Sequence, residues 1–252
     1  MTAPEQARGR RRLASVLLEG LGPAGARTAL HLAAAGVGTL LLRDGGRVTP
    51  AEVGDPYRTV HQGMGRTAAL QDLLRRTAAG AAVLECPGDM RPAASDLCVL
   101  FAPAAEEEPA VIAAAEQSTL VLPVSLGPEE TEIGPLLSRP EGQSGFACVR
   151  CHVRHRHVQH RGIQRHRIQQ RAEPPAGSPP SAAPVTSADP LTHQLAAAFI
   201  ARQLLILLDG IYEPALAEHS MVLHADGGIT REAHQRHPEC LCQLSLPEPL
   251  PS

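Results

Sequence analysis

The sequence has no Trp, no Lys, two Tyr and three Phe among its 252 residues, so aromatic side chains make up only 2% of it. A core must therefore be built from Ala, Leu and Val, and 43% hydrophobic residues suffice for one well-buried domain of this length. All 23 basic residues are Arg, a bias we attribute to coding composition. Strong net charge is missing too: −3 with a pI near 6.5 argues against a nucleic-acid or membrane-surface partner for the chain as a whole. No run approaches the roughly 18 uninterrupted apolar residues of a membrane-spanning helix, and the Arg-rich Met1–Arg12 lacks a signal-peptide core. These absences predict a cytoplasmic protein, in which six Cys point to metal ligation or buried thiols rather than disulfides.

What is present alternates between two periods. Ala14–Leu18 reads as a short apolar strand, Ala24–Ala35 as a helix stopped by Gly36, and Thr39–Leu42 as the next strand. Arg66–Arg76 reads as a helix, Ala81–Leu84 and Leu97–Phe101 as strands, Pro109–Glu116 as a helix and Leu120–Val124 as a strand. This alternation predicts the α/β class, a doubly wound, Rossmann-like, mainly parallel sheet with helices on both faces. Residues 1–12 are expected to be disordered, and 13–151 to form the nucleotide-binding domain. Residues 152–190, first His/Arg-rich and then Pro/Ser/Ala-rich, read as a flexible insertion. Residues 191–242, an apolar helix ended by Gly210, a Gly-Gly hairpin and a thiol pair, complete the same domain as a small zinc-bound C-terminal segment, and 243–252 are a tail.

The stretch "VLLEGLGPAGARTALHLAAAGVGTLLLRD" places Gly20, Gly22 and Gly25 in a G-x-G-x-x-G spacing between a strand and a helix. The first glycine suits a tight turn, the second a close approach of backbone to phosphate, and the third close helix–strand packing. The helix N-terminus itself favours an anion. Asp44 falls about twenty residues on, where a carboxylate accepts ribose hydroxyls. The plainer alternative is that the glycines only allow tight packing.

Cys148 and Cys151 form a C-x-x-C, and Cys240 and Cys242 a C-x-C. Two close thiol pairs far apart in sequence suit a closed, structural four-thiolate zinc site. A redox pair and unligated thiols are the alternatives, while Cys86 and Cys98, in apolar stretches, read as core residues. Arg150–Arg171 holds seven Arg and five His with no carboxylate. It reads as a solvated loop, with phosphate-rich partners or additional metal bound through its His as the alternatives. Glu106–Glu108 and Glu129–Glu130 read as solvated turns.

Together these pieces resemble the ThiF/MoeB/HesA family of ubiquitin-activating-like adenylyltransferases. The glycine stretch is similar to that family's opening βαβ, "VTPAEVGDPYRTVHQGMGRTAAL" to its nucleotide-binding Arg/Lys segment, and "IGPLLSRPEGQSGFACVRC" to its approach to the first thiol pair. The terminal "HPECLC" is similar to the end of actinobacterial members linked to ribosomal-peptide modification. The resemblance implies ATP, Mg²⁺ and structural Zn²⁺ as cofactors, a homodimer, and a small carrier protein or precursor peptide whose C-terminal carboxylate becomes an acyl-adenylate. By position, Gly20, Gly22 and Gly25 would cradle phosphate, Asp44 would hold ribose, and Arg58 and Arg66 would neutralise phosphate charge.

Three positions depart from the family pattern. Arg66 stands where Lys is commoner, Gly46 replaces a second acid after the second strand, and Ala102 occupies the place of the Mg²⁺-positioning Asp. Glu106 is the only loop substitute in view, and no catalytic thiol or other catalytic residue can be named. A second reading is therefore a catalytically degenerate, zinc-stabilised scaffold that binds a peptide or partner enzyme. A third takes the glycine loop as the NAD site of an oxidoreductase.

Overall fold

The computed structural model describes residues 3–77, 80–87, 95–102, 107–139, 145–155, 189–234, 236–238, 240 and 242. The expected insertion over 156–188 and the tail over 243–252 lie outside these residues. The strands are β1 (Ser15–Glu19), β2 (Thr39–Arg43), β3 (Ala82–Glu85), β4 (Ser95–Phe101), β5 (Ser118–Leu126), β6 (Glu130–Ile133), β7 (Leu137–Ser138), β8 (Ala147–Cys148), β9 (His219–His224) and β10 (Ile229–Ala233). The helices are α1 (Ala3–Leu13), α2 (Pro23–Ala34), α3 (Arg66–Thr77), α4 (Glu107–Gln117), α5, described over 149–155, and α6 (Pro190–Asp209).

The strands make one sheet in the order β10-β9-β6-β5-β4-β1-β2-β3, with β7 and β8 attached beside β5. Side chains alternate across it with the period of two that a strand imposes. Val16, Leu18, Leu97, Val99, Leu120 and Leu122 pack with α2, α3 and α6 on one face. Leu17, Cys98, Leu100 and Val121 pack with Val111, Ala114 and Ala115 of α4 on the other. As the composition requires, the larger cluster is Leu, Val and Ala, with Tyr57 as its one fully buried aromatic among the described residues. Cys86 and Cys98 are buried in the smaller one.

The larger part of the sheet is parallel, as expected: β3-β2-β1-β4-β5 run parallel, and β6, β9 and β10 extend it as antiparallel additions. The C-terminal hairpin joins that sheet, because β9 pairs with β6 and carries it onward. The antiparallel part begins with a short reversal after β5, closed by Gly127 N–H donating to Glu130 O at 2.9 Å, which turns "ETEI" back as a strand. Two-residue register hides such a strand when its outward positions are acidic, and Glu130 and Glu132 are those positions.

The N-terminus, expected to be disordered, is helix α1. Arg11 supplies the physical reason: its guanidinium bonds both Asp209 carboxylate oxygens at 2.7 Å and the Ala35 carbonyl at 3.1 Å, tying α1 to the ends of α6 and α2. Gly38 lets the helix end pass close by, since a Cβ there would lie 1.8 Å from Arg12 O. Helix α6 starts at Pro190 under an Asp189 cap and stops at Gly210 in the left-handed conformation, φ 62°. By length and composition, with a mean hydropathy of 1.5, it is long and apolar enough to cross a membrane. Here it packs along α2 and α1 and buries Ala196, Ala197, Ile200, Ala201 and Leu204.

Arg11→Ala should lower the unfolding free energy by about 1–3 kcal/mol in urea titration, because Asp209 would lose a bidentate partner at a partly buried site. An unchanged midpoint would mean that α1 is not part of the cooperative unit.

Candidate functional site

The glycine loop lies at the carboxyl end of β1, between the two parallel neighbours β2 and β4. Gly20 has φ +88°, and a Cβ there would meet Phe101 O at 2.6 Å. A Cβ on Gly25 would lie 2.1 Å from Gly20 O, so the third glycine is what allows α2 to leave the strand at this distance. Gly22 is different. It has φ −60°, caps α2 without a side-chain bond, and a Cβ there would find only Glu52 Oε1, at 3.8 Å. The first and third glycines are thus needed by the fold, whereas the space beside the second is open.

Asp44, at the end of β2, accepts from Leu21 N–H at 2.6 Å and from Gly46 N–H at 2.5 Å. Its carboxylate also lies 3.3 Å from Arg66 Nη1, and Arg66 Nη2 lies 2.9 Å from Glu52 Oε1. Burial pulls the Arg66 pKa down, but the two carboxylates more than offset it and the net direction is up. A Cβ at Gly46 would lie 2.6 Å from Arg66 Nη1. The guanidinium occupies the space that a side chain at this position would need. Tyr57, wholly buried, donates to Leu21 O at 2.6 Å and fastens the glycine loop to the segment before α3. Burial raises its pKa, so the hydroxyl keeps its proton for that bond.

Beside this cluster is a cleft of about 540 Å³ between the α2 N-terminus, the 49–55 segment, the start of α3 and the start of α6. Arg27, Arg66, Glu52, Asp55, His193 and Gln194 are its polar walls. Arg27 pairs with Asp55, which Gln194 Nε2 also reaches at 2.5 Å. Burial lowers the pKa of His193, which favours the neutral imidazole there. Of the residues expected at a nucleotide site, Arg66 lines the cleft. Gly20, Gly22, Gly25, Asp44 and the exposed Arg58 are not among its lining residues. Sequence reasoning missed Glu52, Asp55, Arg27, Tyr57 and Gln194, because their pairing spans loops and helices that no local spacing connects.

After β4 the described chain ends at Ala102, which packs against the smaller core cluster. It offers no carboxylate, and the described acids of the cleft, Glu52 and Asp55, are already paired with Arg66 and Arg27. These residues do not fit the Mg²⁺ site that the resemblance implies. Glu106 lies outside the described residues.

The four cysteines do come together. Cys148 and Cys151 arrive from the β8–α5 junction and Cys240 and Cys242 from the chain after β10, with all four sulfurs within 4.8 Å of one another. The separations of 3.9 Å (Cys148–Cys240) and 3.5 Å (Cys151–Cys242) bracket the roughly 3.8 Å edge of a tetrahedron with Zn–S of about 2.3 Å. His237 N–H donates to Cys151 Sγ at 3.3 Å, a bond that stabilises a thiolate. Burial outweighs that bond and the Cys151 thiol is pushed up to about 11. The donor set fits a closed metal site without a position for water.

The chain matches no protein-family model and no curated protein sequence. Among solved structures it is similar to E. coli MccB crystallised with MccA, at a TM-score of 0.70 and 17% identity over 95% of this chain and 69% of that one. E. coli MccB with ATP gives a TM-score of 0.68 at 17% identity over 94% and 68% of the two chains. PaaA gives 0.69 at 20% identity over 92% and 76%. The chain therefore shares its fold with MccB and PaaA.

Purified protein should carry zinc at the four-cysteine site, and Cys240→Ser with Cys242→Ser should remove that equivalent by elemental analysis and lower the melting temperature. Full retention in the double variant would exclude this ligand set.

Proposed function

We propose that the chain binds ATP at the glycine loop and activates the C-terminal carboxylate of a peptide or small carrier protein as an acyl-adenylate. The observation that carries this reading is Gly22. A backbone left open at a helix N-terminus, beside a cleft at the carboxyl end of parallel strands, is the arrangement that accepts phosphate. Support also comes from MccB, whose structures include complexes with ATP and with N-formylated MccA.

In this reading a carboxylate oxygen attacks the α-phosphorus, the bond to the bridging oxygen breaks, and pyrophosphate leaves with the electron pair. The amide N–H groups at the start of α2 face the phosphates. Asp44 retains lone pairs for the ribose hydroxyls beyond those used by Leu21 and Gly46, but Arg66 now covers them. Nucleotide entry therefore requires Arg66 to leave Asp44, and the released guanidinium then meets the phosphate charge. Arg58 joins only if its side chain swings inward from the surface. Zinc holds the C-terminal segment, and the working form is a cytoplasmic homodimer.

One observation favours the second reading, a non-catalytic peptide- or partner-binding scaffold. Arg66 and Arg27 are each neutralised within the protein, and both described carboxylates that line the cleft, Glu52 and Asp55, are already paired.

The two readings separate at Gly22. Gly22→Val introduces a side chain into open space at an ordinary φ, so it should lower the melting temperature by only a few degrees, the effect of a poorer helix cap, while abolishing ATP binding in calorimetry and carboxylate-dependent ATP–pyrophosphate exchange. Gly25→Ala should instead destabilise the whole fold. Wild-type protein that binds a peptide without binding ATP would establish the scaffold reading.

A further inference from the structure

We propose that the Arg27–Gln194 side of the cleft is a seat for the C-terminal carboxylate of a peptide with a small, uncharged last residue, and that Asp55 occupies that seat in the free protein. The inference rests on the carboxylate-activating reading above and names the residues that would hold its substrate. Arg27 and Gln194 reach Asp55 from different helices: Arg27 Nη2 of α2 pairs with one carboxylate oxygen, and Gln194 Nε2 of α6 donates to the other. A guanidinium and an amide converging on the two oxygens of one carboxylate form a donor set for that group.

Asp55 uses this seat only in part. Arg27 Nε is buried and has no hydrogen-bond partner among the described residues. A guanidinium presents Nε and Nη2 side by side, and a carboxylate lying in its plane takes both. Asp55, fixed to its own backbone and shared with Gln194, leaves Nε unmet. A buried donor without an acceptor is unfavourable, and a ligand carboxylate on both prongs removes that cost. Release of Asp55 is not costly: its side chain and that of Arg27 are 27% and 30% exposed, so solvent screens the pair and hydrates the displaced carboxylate. Charge favours a monoanion. Arg27 and Arg66 stand against Asp55 and Glu52 in the cleft walls, and burial favours neutral His193. One carboxylate in place of Asp55 keeps that balance, whereas a phosphate group at about −1.5 to −2 brings more charge than it displaces. The remaining walls include Pro23, Ala51, Val53, Leu126 and Pro190, which suit an uncharged residue beside the carboxylate, and about 540 Å³ is room for one.

The test titrates N-acetyl-Ala-Ala, as free acid and as C-terminal amide, and sodium acetate into the full chain, following Arg Nε–H and Gln side-chain amide signals by ¹⁵N NMR. No nucleotide is present, so a failed ATP site leaves the result unaffected. The free acid should shift the Arg Nε–H signal that is missing from Arg27→Lys, and the amide and acetate should bind at least about tenfold more weakly. Asp55→Asn, which empties the seat of its resident anion, should tighten the free acid at least about fivefold. Arg27→Lys, which keeps the charge but not the fork, should lose the preference for acid over amide. The proposal is overturned if the Arg27 Nε–H signal stays in place up to about 20 mM free acid in both wild type and Asp55→Asn. Equal binding of acid and amide, acetate as tight as the peptide, or weaker binding by Asp55→Asn would overturn it as well.

Discussion

The Asp44 carboxylate is where the nucleotide half of this molecule is tied together. Its two oxygens accept from backbone amides on two separate connections, Leu21 after β1 and Gly46 after β2, and face the Arg66 guanidinium at the start of α3. Adjacent parallel strands end in loops that have no ladder partner for these amides, and one buried anion satisfies both. Tyr57 reinforces the arrangement from the other side by donating to the Leu21 carbonyl. Without that anion, Leu21 and Gly46 would be left as unpaired donors and Arg66 with Glu52 alone.

That dependence limits how Asp44 can serve a ligand. A carboxylate that only received ribose hydroxyls would sit open to the cleft, but this side chain is 7% exposed and shares its charge with Arg66. The same guanidinium is the cation a triphosphate would need, and Glu52 competes for it. The site thus holds its own counter-charges in pairs. Exchanging internal ion pairs for ligand contacts yields less net affinity than offering unpaired charge, because each partner must be desolvated or re-paired.

Much of this was legible in the sequence, for reasons that differ by residue. Gly20 and Gly25 declare themselves because close backbone approach admits no other side chain, and the four cysteines do so because thiolate pairs have few other uses. The parallel strands show as apolar runs because both faces are covered. The antiparallel half did not show. β6 presents Glu130 and Glu132 alternately with Thr131 and Ile133, a pattern too short and too polar to stand out from a turn. Helix α1 was missed because its order comes from Asp209 and Ala35, partners 198 and 24 residues away from Arg11. Cleft pairs such as Arg27–Asp55 and Arg66–Glu52 likewise exist only once loops have been placed by the sheet.

Gly46 and Arg66 depend on each other sterically. A side chain at position 46 would collide with the guanidinium, 2.6 Å from its Cβ, and with Asp44 Oδ1 at 2.9 Å. An acid there would compete with Asp44 for Arg66 and push two carboxylates together in a space with little water. Glycine removes that repulsion and leaves room for the planar, two-pronged group that bridges Asp44 and Glu52, a geometry an ammonium cannot reproduce. Glycine at 46 and arginine at 66 are thus sterically and electrostatically coupled: an acid at 46 would make the guanidinium shift, and an ammonium at 66 would lack the two prongs that reach Asp44 and Glu52.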